Sequence, residues 1–148
     1  GDKFVAIEGW LPAAALYFQA RKAYGLDGNV PVNVLDSFHE AYYNGAERTE
    51  APSVLPFDKV AQVDQPIALI AQARNAFYSG HIDDANTFLN QVKRLSPNMP
   101  EAFLLEAEMN SVNKKNKKAR LIANGLLADL SAPEWVRAFA EEIIKKLP

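Results

Sequence analysis

Residues Pro66 to Pro100, PIALIAQARNAFYSGHIDDANTFLNQVKRLSPNMP, decide how the rest of the chain is read. The first half places Leu69, Ala73, Ala76 and Phe77 at helical spacing, Ser79-Gly80 breaks the pattern, and His81-Ile82-Asp83-Asp84 opens a second helix. That second helix carries Ala85, Phe88, Val92 and Leu95 and stops at Ser96-Pro97-Asn98. The stretch is a helical hairpin around one tight turn. Because a lone hairpin buries its apolar faces only against neighbours, copies of it are expected elsewhere in the chain.

Helix-initiating prolines recur at Pro66, Pro100 and Pro133, 34 and 33 residues apart. A small residue in the middle of each first helix recurs at Ala73, Ala107 and Ala140 with the same steps, and one early in each second helix recurs at Ala85 and Ala119, again 34 apart. Alanine suits these places because two helices of a hairpin cross closely there, where a larger side chain would push the backbones apart.

A two-helix unit of about 34 residues is the period of the tetratricopeptide repeat, and the sequence resembles that family. Ala73, Gly80, Ala85 and Pro97 match small or breaking positions of its motif, whereas Leu69 stands where the motif has an early aromatic. Phe103 fills that role in the next copy. The resemblance implies an all-α fold: a right-handed α-solenoid of about seven helices in a single domain over residues 1–148. Its expected parts are a degenerate repeat at 9–45, an ordered insertion at 46–65, the best-kept repeat at 66–99, a second repeat at 100–132 and a capping helix at 133–148.

Working outward, residues 1–8 are left unassigned. Trp10 to Tyr24 is expected as a helix burying Leu11, Ala14, Ala15, Phe18, Ala20 and Ala23, with Pro12 in its first turn. The segment GLDGNVP, Gly25 to Pro31, ends it. A helix from Asn33 to Tyr43 follows, burying Val34, Leu35, Phe38, Ala41 and Tyr42, and Asn44-Gly45 closes it. Residues Gln19 to Tyr24, QARKAY, echo Gln72 to Phe77, QARNAF, but Ala20 and Ala73 are 53 apart, which leaves room for the insertion. Between Glu47 and Gln65, Val54, Leu55, Phe57, Val60 and Val63 are too many apolar residues for a linker, so that stretch is expected to pack across the helices with a helical turn near Phe57 to Gln62. Beyond the hairpin, helices are expected over Glu101 to Val112 and, after the NKKNKK turn, through Ala119, Leu121, Ile122, Leu126 and Leu127. A last helix starts at Ser131-Ala132-Pro133-Glu134 and runs to Leu147, its outer face made polar by Arg137, Glu141, Glu142, Lys145 and Lys146.

Composition narrows the function classes. The chain has 148 residues, enough for one core, and 16 basic against 18 acidic residues, a net charge of -2 that gives no general attraction to nucleic acid or anionic lipid. With no cysteine, thiolate catalysis, thiolate zinc sites and disulfides are out. No apolar run reaches the roughly 18 to 20 residues of a membrane span, so membrane insertion is not expected. The sequence opens on Gly1, read as a cloning remnant with natural sequence expected upstream, and compartment is left open.

Nor does a catalytic constellation emerge, so the chain is read as no enzyme and no cofactor is expected. His39 and His81 stand without a second histidine or a carboxylate at ligand spacing, and are read as surface or helix-start residues. Asp83-Asp84 and Glu141-Glu142 are neighbours in sequence and point apart on a helix. The seven glycines form no phosphate loop. Lys114, Lys115, Lys117, Lys118 and Arg120 could contact an acidic partner, lipid or nucleic acid, but with no aromatic interleaved and an acidic chain around them they read as a solvated turn.

The family resemblance implies a concave groove lined by the first helix of each repeat. One face of each would present Tyr17, Arg21 and Tyr24, then Ile70, Arg74, Phe77 and Tyr78, then Leu104 and Glu108, with Arg137 at the far end. Aromatics flanked by arginines suit an extended peptide or a helix of a protein partner. The competing reading makes Tyr17, Tyr24 and Phe77 ordinary packing residues. A clamp of lysine and asparagine for a chaperone's C-terminal carboxylate is not matched, since Tyr17 and Arg21, or Ile70 and Arg74, occupy those places. The expected function is a non-enzymatic interaction module. Two alternatives stand beside it: a homo-oligomerisation module, and the helical accessory domain of a larger enzyme or solute-binding protein.

Overall fold

The computed structural model describes residues 9–24 and 31–148, with the side chain of Tyr24 outside the description. The unassigned opening at 1–8 and most of the expected turn at Gly25 to Pro31 therefore lie outside the described residues. Among the described residues there are nine helices and no strand: α1 Trp10–Tyr24, α2 Val32–Gly45, α3 Ala51–Val54, α4 Phe57–Ala61, α5 Gln65–Tyr78, α6 Ile82–Leu95, α7 Pro100–Val112, α8 Asn116–Ala128 and α9 Glu134–Lys146. The chain is all-α. Two of the nine exceed the expected seven because the proline-punctuated stretch after α2 forms two short helices, each beginning where Pro52 or Pro56 presets the backbone.

The chain divides into two compact units, Gly1–Phe88 and Leu89–Pro148, with the division inside α6. In the first, α1 packs on α2 and α3, and α5 packs on α2 and α4. Aromatic rings join three of these helices: Phe18 lies 6.2 Å from Phe38, Phe38 stacks on Tyr42 at 5.6 Å, and Phe57 meets Tyr42 edge-on at 6.2 Å. The stretch expected as an insertion is ordered by burial, since Ala51, Leu55 and Val60 are all interior. Each large side chain so buried contributes roughly 1.5 to 3 kcal/mol.

In the second unit α7, α8 and α9 pack against one another over Leu104, Leu105, Ala107, Ala119, Ala123, Val136 and Ala140, all buried. Ahead of α9, Asp129 accepts hydrogen bonds from the Ser131 hydroxyl (2.6 Å) and amide (3.0 Å), which hold its carboxyl below the usual carboxylate range. In α9 Glu134 lies in the first turn and Lys145-Lys146 in the last, each complementing the helix dipole. The helix ends at Lys146, one residue short of the expected Leu147.

The turns of the two central hairpins superimpose in sequence. After α5, the amides of Ser79, Gly80 and His81 donate to the carbonyls of Asn75, Phe77 and Ala76 at 3.0, 3.2 and 2.8 Å. After α7, the amides of Asn113, Lys114 and Lys115 donate to Met109, Ser111 and Asn110 at 3.0, 3.2 and 2.9 Å. Every donor and acceptor is displaced by 34 positions. Both turns are Schellman motifs with one residue in the left-handed region: Gly80 at φ 86° and Lys114 at φ 63°.

Candidate functional site

Arg74 sits at the middle of the best-organised polar cluster. It lies on α5, is only 3% exposed, and reaches the C-terminal end of α2. An α-helix ends with carbonyls that lack intrahelical donors, and α2 has no basic residue in its own last turn. Arg74 supplies the missing cation: Nη1 donates to the carbonyl of Tyr43 at 2.6 Å and of Asn44 at 3.3 Å, and Nη2 lies 3.6 Å from Glu47 Oε2. Its guanidinium also lies over two rings, 4.5 Å from the Tyr43 centroid and 5.1 Å from that of Tyr78. The adjacent Asn75 completes the clamp, donating from Nδ2 to Ala46 and Arg48 carbonyls at 2.9 Å each. Two neighbouring residues of α5 thus satisfy four carbonyls of the chain leaving α2.

This arrangement changes the role expected of Arg74. Read from sequence as a groove residue, it is instead committed to backbone carbonyls of its own chain, and the desolvated end of α2 is the physical reason. Ile70, Phe77, Leu104 and Glu108 are buried as well, at 0, 6, 0 and 5% exposure, so their side chains belong to the interior. Tyr17, Arg21 and Arg137 are half-buried, and Arg21 and Arg137 each bury an Nε without a hydrogen-bond partner among the described residues. Among the nine whose side chains are described, Tyr78 alone is exposed, at 40%, its ring meeting Phe77 edge-on at 5.2 Å. Arg74, Phe77 and Tyr78 are brought together; Leu104, Glu108 and Arg137 belong to the other unit, and the Tyr24 side chain is outside the described residues.

His39 is also corrected. Expected at the surface or a helix start, it is 7% exposed in the middle of α2, with Nε2 2.8 Å from Asp64 Oδ2. The carboxylate comes from 25 residues away, beyond any local ligand spacing. Asp64 uses its other oxygen to cap α5, accepting from the Ile67 amide at 3.4 Å, so one side chain ties the start of α5 to α2. His81 is exposed beside the α5–α6 turn. Among the described residues no group of three histidine, aspartate or glutamate side chains is placed to hold a metal ion, and no helix is long and apolar enough to cross a membrane.

The sequence signal for the clamp was present but indirect. A helix ending Tyr43-Asn44-Gly45 without a basic residue needs a donor from elsewhere, and an Arg-Asn pair on a buried helix is a donor set in search of carbonyls. No protein-family profile, curated protein or solved structure matches the chain.

Proposed function

We propose that the chain is a non-enzymatic interaction module built as a right-handed α-solenoid of tetratricopeptide-like hairpins, which binds a protein or peptide. The observation that carries this reading is the 34-residue recurrence of a complete turn: the same three hydrogen bonds and the same left-handed residue at Gly80 and Lys114. Ala73, Ala85, Ala107, Ala119 and Ala140, the small residues of the repeat, are fully buried, in keeping with close helix crossings. Recurrence of backbone hydrogen bonds is stronger support for a repeat than recurrence of residue types, because different sequences, SGH and NKK, build the same turn.

Within this reading the contact residues are those that keep solvent access: Tyr17, Arg21 and Tyr78 in Gly1–Phe88, and Arg137 in Leu89–Pro148. Tyr78 is the anchor, being a large aromatic held on edge by Phe77 and next to a fixed cation. Selection of peptides from a random display library on the purified chain, followed by calorimetric titration, tests it. A selected peptide should bind at micromolar Kd and lose at least tenfold in affinity to Tyr78→Ala. Failure to enrich any sequence over a folded helical control removes the support for a peptide-binding role.

A further inference from the structure

The turn between α7 and α8 carries Lys114, Lys115, Lys117, Lys118 and Arg120, five cations in seven residues with no acid among them. All four lysines are exposed, and no carboxylate of the described residues pairs with them. Arg120 donates to the Pro148 carbonyl at 3.1 Å. The unit that bears this turn is itself basic: Leu89–Pro148 has ten basic and seven acidic residues, net +3, against six and eleven, net -5, in Gly1–Phe88. Flanking the cations are two exposed aliphatic side chains, Val112 at 52% and Leu121 at 74%. Leu121 lies one helical turn beyond Lys117 and Lys118, on the same side of α8.

We infer that this turn is a peripheral docking site for an anionic bilayer surface. Four observations select that partner. The cations sit at the tip of a helical hairpin, which is convex, and an extended charged plane is the surface that a convex tip touches with several lysines at once. Four of the five are lysine, a hydrated point charge suited to a diffuse negative field, whereas recognition of one carboxylate or phosphate favours the planar fork of arginine. Val112 and Leu121 can enter the boundary between headgroups and acyl chains, a use for exposed aliphatic groups that a nucleic-acid backbone does not offer. Residues 112–121 contain no aromatic on which a base could stack.

Lys114 adds a fifth observation. It holds φ 63° where the equivalent hairpin has Gly80, and glycine is the residue that this backbone favours. A lysine at that position places a cation at the apex at the expense of the turn's own stability.

Co-sedimentation of the full chain with vesicles of phosphatidylcholine, with and without phosphatidylserine, tests the inference. The chain should partition onto the phosphatidylserine vesicles alone and release as salt rises. With each lysine near the surface worth about fivefold in partition, Lys117→Gln/Lys118→Gln should weaken it about 25-fold. Lys115→Gln/Lys118→Gln, a second pair whose helicity is checked by circular dichroism, should do the same. Leu121→Ser should weaken binding at unchanged net charge, and Lys114→Gly should weaken binding while raising Tm. Equal partition onto both vesicle types, salt-insensitive binding, or full binding by both folded lysine pairs overturns the inference. Tighter retention on polyglutamate or on duplex DNA than on the vesicles also overturns it and reassigns the turn to an acidic protein or a nucleic acid.

Discussion

Arg74 and Tyr43 meet twice: the guanidinium donates a 2.6 Å hydrogen bond to the Tyr43 carbonyl and lies 4.5 Å from the centre of the Tyr43 ring. Backbone and side chain of one residue are thus held by one cation, and Tyr43 itself is fully buried. The pairing fixes where α2 ends relative to α5. It also explains how a charged group can be 3% exposed in this unit, since carbonyl oxygens, Glu47 and two aromatic faces replace its hydration.

Arg74→Leu keeps much of the side-chain volume and removes the guanidinium donors to the carbonyls of Tyr43, which keeps only the Ala46 amide, and of Asn44, leaving acceptors desolvated. A loss of about 2 to 3 kcal/mol is expected. Glu47→Gln should lose less than about 1 kcal/mol, because that carboxylate is 54% exposed and 3.6 Å away. Urea denaturation of the two variants measures the difference. Equal losses would show that the ion pair, rather than the carbonyl contacts, holds Arg74.

Ala73 and Ala85 are both fully buried on the two helices of the α5–α6 hairpin. A leucine at either place must find room in a filled interior, with an expected cost of about 1 to 3 kcal/mol. A thermal melt followed by circular dichroism reads it. Unchanged Tm for both variants would show that neither site is tightly packed.

Gly80 and Lys114 make opposite predictions from one backbone conformation. A Cβ on Gly80 would meet nothing within 4 Å, so the cost of Gly80→Ala is conformational alone, about 1 to 2 kcal/mol. Lys114→Gly should gain about 0.5 to 1 kcal/mol, as relief at the left-handed position outweighs the added freedom of the unfolded chain. Denaturant midpoints for both variants should move in opposite directions.

Tyr42 is fully buried and its hydroxyl has no hydrogen-bond partner among the described residues. Burial first, and then the nearby Asp58 charge, push the phenol well above its ordinary value of 10.0. Below that value the native and unfolded chains both keep the proton and stability is full. Above it the unfolded phenol ionises while the folded one does not, so stability falls as pH rises. Tyr42→Phe should therefore be as stable as the parent or roughly 1 kcal/mol more so at neutral pH, and should lose less stability between neutrality and about pH 11. Denaturation curves across that range check both expectations.

Helix positions were legible in sequence because their determinants are local. Pro66, Pro100 and Pro133 open helices, Ser79-Gly80 breaks one, and apolar residues recur at helical spacing, so observed boundaries differ from expectation by a residue or two. The two short helices between α2 and α5 were less legible because each has only four or five residues, too few for a period to show. The edge-on contact of Phe57 with Tyr42 is part of what orders them.

Sequence alone determined the helical hairpin, its 34-residue recurrence and the places where small residues are required, since these follow from periodicity and turn chemistry. Which side of each helix meets solvent follows from packing between helices and could not be read locally. Arg74, Phe77 and Tyr78 share a stretch of one helix, yet the first two are interior and the third is exposed. His39 found its carboxylate, and Tyr43 its cation, 25 and 31 residues along the chain. Contacts at that range depend on how helices pack, and a helical period constrains the spacing of residues on a face without saying what that face is packed against.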